Sequence, residues 1–516
     1  MSKNLRSIGT VSGATVLSRV LGLARDMLTT AVFGASALNS AFVTAFTLPN
    51  LFRRLLGEGA LTAALVPTMS EELEACGREA AFALVNKVAS WLLVVTSGLV
   101  ALAVAAMGAV HLFEGLEPRW HLCAHLGQIL FPYVVAICLA AVFGAALNLL
   151  DEYLVPAMSA VWLNLCIILS LGAGAHFFGE TPMEKMYWLC GGTLAGGFLQ
   201  FATPARALWR RGWRPRFDLA PSDRFRELLL LMGPGVFGAA IFQINILTSR
   251  GLAFALNESA ATLLYLANRL MEVPLGIFTI AVSTVTFPLI ARCAARGERR
   301  EMAAHYHRAI LLTMHIALPA SVGLFLLAEP VVRMLFQRGE FGGADTAAMT
   351  PVLGIFCVGL PFYSYVTLVT RAFHALKDTR TPVRVAAGAF VLNLALSLAL
   401  MRPYGVLGLA AASNLAIAVQ TIVLQAILGR RHPALAARAH LRGLGGVCAI
   451  AFVMGLVVRG GWFLLRQAGL APVVEGLLAV CVLIPAGALA YFAAALLLRV
   501  DGLDEVRALV RRFARG

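Results

Sequence analysis

The side chains best able to do chemistry in this sequence are ionisable groups set inside apolar runs: Arg19, Arg25 and Asp26; Arg53, Arg54 and Glu58; Arg269 and Glu272. In hydrocarbon each costs roughly 2.5–3.5 kcal/mol on insertion scales, so such groups normally face a bundle interior or a wet cavity. Some could neutralise one another on their own helix. Arg54 and Glu58 are spaced i,i+4, Arg269 and Glu272 are spaced i,i+3, and Arg19 and Asp26 share a face two turns apart. Even full pairing leaves a surplus, because five of the eight are positive. A cationic chamber near mid-depth is expected, with Arg19, Arg25, Arg53, Arg54 and Arg269 as substrate-binding residues. Guanidinium forks suit phosphate or carboxylate through bidentate hydrogen bonds, so the expected substrate is an anion.

Backbone breakers stand beside these groups. Pro49-Asn50 interrupts the second apolar run just before its arginines, and Gly57 and Gly59 follow them. Gly233-Pro234-Gly235 opens the seventh run, and Pro274-Leu275-Gly276 interrupts the eighth. Proline removes a backbone hydrogen bond and lets a helix bend, so Pro49, Asn50, Gly57, Pro234 and Pro274 are candidate hinges; ordinary packing kinks are the alternative. Other chemistry is thin. His121 and His125 have metal-ligand spacing without an evident third ligand, so a local pair is expected and no metal site. No P-loop, GxSxG or HExxH motif occurs, hence no ATPase module. The nine cysteines are scattered without a CxxC pair, mostly in apolar runs where a thiol acts as a small hydrophobe.

Holding such charges in place takes many spanning helices. The chain has 516 residues, 59% hydrophobic and 13% charged, with a mean hydropathy of +0.81. An ordinary soluble domain is about 25% charged, so composition excludes one. Long uninterrupted apolar runs point to α-helical spans of about 20 residues and away from a β-barrel. Fourteen spans are expected, near 8–33, 37–67, 81–111, 123–150, 154–178, 186–208, 226–255, 260–291, 303–328, 347–374, 382–401, 404–429, 442–465 and 472–499. The net charge of +15 concentrates in alternate loops, around 206–226, 292–308, 371–384 and 430–442 and in the tail from Arg499. The positive-inside rule makes those loops and both termini cytoplasmic, which accounts for the basic balance without nucleic acid. The run from Arg206 to Arg216, with Trp209 and Trp213, is expected to anchor at anionic lipid.

An internal repeat divides the chain. Residues 130–171 align without gaps on 359–400, bringing Pro132 onto Pro361 and Leu163-Asn164-Leu165 onto Leu392-Asn393-Leu394. A similar offset puts Ser18-Arg19 over Ser249-Arg250. The shift carries the fourth span onto the tenth, so both copies share one orientation. The expected fold is an all-α polytopic membrane protein of two six-helix lobes, 1–215 and 216–430, related by a pseudo-two-fold along the membrane normal. A C-terminal helix pair with a basic cytoplasmic tail, 431–516, completes it. Two facing lobes around a central cavity make a transporter architecture.

Several stretches resemble a known family. Ser18-Arg19-Val20-Leu21-Gly22-Leu23-Ala24-Arg25-Asp26, then Leu48-Pro49-Asn50-Leu51-Phe52-Arg53-Arg54 with Glu58-Gly59-Ala60, resemble the first two helices of the MurJ (MviN) lipid II flippases. Asn268-Arg269-Leu270-Met271-Glu272-Val273-Pro274 and Phe336-Gln337-Arg338-Gly339-Glu340-Phe341 are similar to the same family, and the likeness runs over essentially the whole chain. The resemblance implies the fold of the MOP exporter superfamily, with two lobes and two C-terminal helices whose groove holds a lipid tail. It implies flipping of undecaprenyl-diphosphate-linked MurNAc-pentapeptide–GlcNAc across the bacterial inner membrane for peptidoglycan synthesis, without enzymatic turnover or a cofactor. Arg19, Arg25, Arg53 and Arg269 fall on the family's cavity arginines, with Arg54 adjoining; Asp26, Glu58 and Glu272 are the implied ion-pair partners. The sequence also departs from the pattern. Asn39-Ser40-Ala41-Phe42 stands where many members carry an acid, Thr47 where some have lysine, and Asn268 where some have aspartate. Some members bind sodium through an Asn-x3-Asp pair in span 11, where Asn393 and Ser397 stand in this chain. Sodium and the membrane potential are the candidate couplings.

The expected mechanism is alternating access: the cavity admits the headgroup from the cytoplasm, the arginines hold the diphosphate, and the polyprenyl chain stays in lipid along spans 13 and 14. A monomer among membrane lipids is expected, with other cell-wall synthesis proteins as further candidate partners. The alternatives are another exporter of the superfamily, for polyprenyl-linked polysaccharide or drugs, and a membrane-embedded polyprenyl-phosphate transferase. An exporter of cationic drugs calls for acids in the cavity. A transferase calls for acids near the interface and for substantial loops. The arginine surplus and the short loops favour neither, while a polysaccharide carrier stays open.

Overall fold

A computed structural model describes residues 3–57, 60–498 and 500 of the chain; the described elements are helices, with no strand among them. Two compact units form, Met1–Thr262 with Arg338–Phe341, and Leu263–Gln337 with Gly342–Gly516.

In the first unit α1 (Lys3–Phe33) ends at Gly34, whose φ of +61° turns the chain, and Ser36 caps α2 (Ala37–Phe52) by accepting from the Asn39 N–H at 3.3 Å. After α2 the backbone widens into a π-helical turn, Arg53–Gly57, and α3 (Ala60–Ala75) follows. Next come α4 (Gly77–Val110) and a bent span, in which α5 (Pro118–Leu130) and α6 (Tyr133–Leu149) meet at 42° across Phe131-Pro132. The following span is α7 (Leu154–Ala157), α8 (Ser159–Leu169), a π-helical stretch Ser170–Ala175 and α9 (His176–Phe178). A capping box of Thr181 and Glu184 starts α10 (Pro182–Arg210), and Ser222 caps α11 (Asp223–Leu256).

Lipid gives helices no hydrophobic reason to associate, so close backbone contact has to do it. The seam of α10 shows this. A Cβ at Gly192 would lie 2.5 Å from the Ser170 Cβ, one at Gly196 2.9 Å from the Leu163 Cα, and one at Gly197 2.4 Å from the Tyr133 ring. Only glycine permits that approach.

The linker after α10 is strapped along α4. Asn86 donates to the Arg214 carbonyl at 2.9 Å and accepts from the Arg216 N–H at 3.3 Å, Lys87 donates to the Ala220 carbonyl at 2.7 Å, and the Ser90 hydroxyl accepts from the Asp218 N–H at 3.0 Å. At its end Arg224 pairs with Glu72 at 2.9 Å and Glu71 at 3.3 Å. Strap and ion pairs group α11, the first helix of the expected second lobe, with the helices before it. The strap also corrects one expectation. Gly212 (φ +98°) folds Trp213 back so that its N–H reaches the Leu208 carbonyl and its ring, 5% exposed, lies 4.9 Å from Phe143. Trp213 is therefore core and no lipid anchor; Trp209, 53% exposed with Arg214 over its ring, keeps that position.

The second unit takes in most of α12 (Ala260–Pro274), a π-helical turn Leu275–Thr279, α13 (Ile280–Arg296), α14 (Arg299–Leu326), α15 (Ala328–Phe336) and α16 (Gly343–Ala375). Then α17 (Arg380–Arg431) carries two expected spans as two helical segments that meet at a kink, where Gly405 has non-helical backbone angles (φ +59°, ψ −137°). A 3-10 turn (Pro433–Leu435) leads to α18 (Arg438–Gln467), α19 (Pro472–Leu478), a π-helical turn Ala479–Leu483 and α20 (Ile484–Leu497). A polar net ties its helices where the 3-10 turn lies. Tyr365 and His440 share a hydrogen bond of 2.6 Å, His440 and His307 one of 2.8 Å between their Nδ1 atoms, and Tyr306 donates to Gln425 at 2.5 Å. At the opposite end Arg466 meets Glu329 at 2.5 Å and Arg333 meets Glu475 at 3.3 Å.

Thirteen of the fourteen expected spans coincide with helical stretches over most of their length; residues 58–59 of the second lie outside the described residues. Among the described residues eight helical stretches are both long and apolar enough to cross a membrane, nine with the bent pair α5–α6. The arginine-bearing α1 and α2 are not among them.

Candidate functional site

On α1, Arg19 is exposed about 24 Å from the helix start. The preceding residue is held from outside: the Asn164 side chain on α8 donates to the Ser18 carbonyl at 3.1 Å. Two turns on, Arg25 places Nη2 at 2.7 Å and Nε at 3.2 Å from Asp26 Oδ1, and Asp26 is only 4% exposed. This pair is charge-neutral.

On α2, Pro49 brings no N–H, and the Asn50 side chain accepts from Arg53 Nε at 3.1 Å. The Arg53 N–H itself reaches back to the Pro49 and Asn50 carbonyls, and from there the π-helical turn through Arg54 and Gly57 begins. A π turn accommodates one extra residue, and such turns recur at functional sites because they re-aim side chains without ending the helix. Arg53 and Arg54 are half-buried on it; Glu58 lies outside the described residues. The family-departing positions hold neutral bonds. Asn39 donates to the Gly34 carbonyl at 2.7 Å, and Ser40 meets the Thr262 hydroxyl at 2.9 Å.

One more arginine within the spanning helices meets α2. Arg250, half-buried on α11, donates from Nη1 to the Thr47 hydroxyl at 2.6 Å. The available signal was its place over Arg19 in the internal repeat. Through Gly233-Pro234-Gly235, the expected hinge, α11 continues as helix.

In the second unit Arg269 Nη1 lies 3.8 Å from Glu272 Oε2, both about a third exposed, and Asn268 donates to the same carboxylate at 3.1 Å. An exposed pair of this length is worth at most about 1 kcal/mol, so it orients Arg269 more than it stabilises the helix. Pro274 closes α12, and the π-helical turn follows directly, its Thr279 donating to Ser364 of α16 at 3.0 Å. Thus in each unit a proline-marked arginine helix passes into a π turn. Asn393 and Ser397 are buried on α17, 3% and 1% exposed.

In the first unit, then, Arg19, Arg25, Arg53, Arg54 and Arg250 stand on α1, the α2–π stretch and α11. Asp26 pairs with Arg25 among them, and counted over the eight ionisable groups of the apolar runs, arginines outnumber acids. Such a surplus of planar donors is suited to phosphate oxygens.

Comparison with known proteins agrees with this chemistry. The family described as lipid II flippase MurJ matches residues 29–470. A protein of Rhizobium meliloti (strain 1021) described as a probable lipid II flippase MurJ is 33% identical over 99% of this chain and 97% of its own. The fold is similar to that of a solved lipid II flippase MurJ in an inward closed conformation, with a TM-score of 0.77 at 23% identity, covering 95% of this chain and 98% of that one. It is also similar to an inward-facing multidrug resistance transporter of the MATE family, MOP superfamily, with a TM-score of 0.63 at 14% identity over 83% and 98% of the two chains. With a family match across most of its length and a near full-length relative at that identity, the chain belongs to the lipid II flippase MurJ family.

Proposed function

We propose that this chain flips lipid II from the cytoplasmic to the periplasmic leaflet of the bacterial inner membrane, as a multi-pass transporter with both termini in the cytoplasm. The observation that carries the reading is the guanidinium surplus on α1, the α2–π stretch and α11, with a further arginine beside the second unit's π turn. A diphosphate and peptide carboxylates need such donors, and an exporter of cationic drugs, the alternative, does not. Alternating exposure of the site to the two sides moves the headgroup; binding must differ between the two states, because equal affinity shifts no population.

The driving force we favour is the membrane potential. Ser397 stands where the Asn-x3-Asp pair would supply a carboxylate, whereas each negative charge leaving a negative interior gains about 2.3 kcal/mol per 100 mV. The test is depletion of a host's native flippase with rescue by this chain, scored by lysis and by periplasmic labelling of lipid II. Rescue that is lost when Arg19, Arg53 and Arg269 are replaced by alanine supports the reading. Rescue by the triple variant overturns the cationic site.

A further inference from the structure

We infer that the connected end of the α4–α5 hairpin is a transition-metal site, in which His111, His121 and His125 take a divalent ion of zinc's class. It stands apart from the arginines and is independent of the flippase reading.

In the sequence His121 and His125 were a pair without a third ligand; the fold brings one. α4 ends at Val110 and α5 begins at Pro118, so only residues 111–117 join them. Close contact fixes their register. The Gln128 side chain donates to the Val104 carbonyl at 3.2 Å, a Cβ on Gly108 would lie 3.1 Å from Gln128 Nε2, and one on Gly127 2.6 Å from Met107 Sδ. Carried one turn toward the connection, that register sets His111 level with the turn that runs from His121 to His125. The His111 and His121 ring centres are 5.4 Å apart, their planes 27° from parallel. Two imidazoles on one tetrahedral zinc, with bonds of about 2.1 Å, have centres about 5 Å apart. Side-chain adjustment alone separates the pair from that arrangement.

His125 stands one helical turn beyond His121 on the same face of α5. Its Nε2 meets the Tyr187 hydroxyl of α10 at 3.1 Å. In the tautomer that donates Nε2–H to Tyr187, Nδ1 keeps its lone pair, and a ring anchored at one nitrogen is the usual form of a metal-binding histidine. Three neutral imidazoles leave a fourth position to water and suit zinc, copper or nickel, whereas magnesium and calcium prefer oxygen ligands. His111 is exposed and the other two are half-buried, so an ion reaches them without opening the fold. A bound ion would tie α4 to α5, the first half of the span bent by 42°.

The test titrates Zn²⁺ by calorimetry into the full-length protein, carrying no histidine tag, in detergent. Wild type should bind the ion saturably in excess Mg²⁺. His111→Gln, His121→Gln and His125→Gln should each weaken binding about tenfold or more, and Tyr187→Phe should weaken it less. In wild type Zn²⁺ should also shield these three histidines from diethyl pyrocarbonate, read by mass spectrometry, which probes the site without any substitution. Cys293, Glu298 and Glu301 form another group, with ligand atoms within 4.8 Å of one another, so Cys293→Ser is the control and should retain the ion. No saturable binding, histidines left unshielded, or a loss confined to Cys293→Ser overturns the site and leaves His111 and His121 as a plain ring contact.

Discussion

Asp26 and Arg25 are adjacent in sequence and nearly sealed from solvent, so removing the carboxylate leaves a cation without its partner in a poorly solvated place. Asp26→Ala is expected to cost about 3 kcal/mol of stability, read as a lower thermal midpoint in detergent, whereas Asp26→Glu should cost less. Gly339 makes a second residue-level case. Its φ is +58° and a Cβ would stand 2.1 Å from the Ala31 carbonyl oxygen, beside the 2.9 Å bond from the Glu340 N–H to that oxygen. Gly339→Ala should therefore destabilise by about 1–3 kcal/mol, and hydrogen exchange at Glu340 should rise. At this scale much was legible. Arg19, Arg53 and Arg269 announce themselves because charge inside an apolar run always needs a reason. Arg250 obeys the same rule, but it stands near the end of its run, where an interfacial position explains an arginine equally well. Asn164 and Thr47 were illegible as positioning groups, since their partners are 146 and 203 residues away in sequence.

Prolines flagged where the arginine-bearing helices change course, at Pro49 and Pro274, yet not the form of the change. A π turn is one residue too many for the α register, and neighbours such as Phe131, whose ring meets Phe52 at 6.1 Å, decide whether it is absorbed. Deleting Leu55 or Leu275 should restore α register, rotate everything beyond by about 100°, and abolish rescue while expression persists; Leu55→Ala should be tolerated. The strap over α4 was equally invisible, because Asn86 and Lys87 read as ordinary polar residues at a helix end. Its Asp218 carboxyl is held below the usual aspartate range, first by the Ala220 N–H at 2.9 Å and then by Lys87 at 3.3 Å. A depressed acid stabilises the docked form above its unfolded value, near pH 4, and loses that contribution as pH falls through the folded value. Proteolytic nicking within 212–222 should be flat from pH 8 to about 5 and rise only below about 4.

For the whole molecule, the alternation of basic loops makes a topological prediction. Cys76, exposed between α3 and α4, should be labelled by an impermeant maleimide in inverted vesicles and protected in intact spheroplasts, in a variant retaining that cysteine alone. Labelling from outside would reverse the assigned orientation. The fourteen-span pattern was readable because every crossing needs its own apolar run, and Arg402-Pro403 between two such runs marked them as separate. The structure keeps them separate at Gly405, where a positive φ with an extended ψ breaks α17 into two segments. The ion pair that fastens the start of α11 to α3, Arg224–Glu72, joins groups 152 residues apart and leaves no local signal in the sequence. The glycine seam of α10 has a mechanical corollary. With Gly192, Gly196 and Gly197 pressed on Ser170, Leu163 and Tyr133, those three spans form a single plank with no soft layer to shear. Whatever stroke the transporter makes, this plank travels whole, and a lone methyl on the seam would jam it while leaving hydropathy untouched.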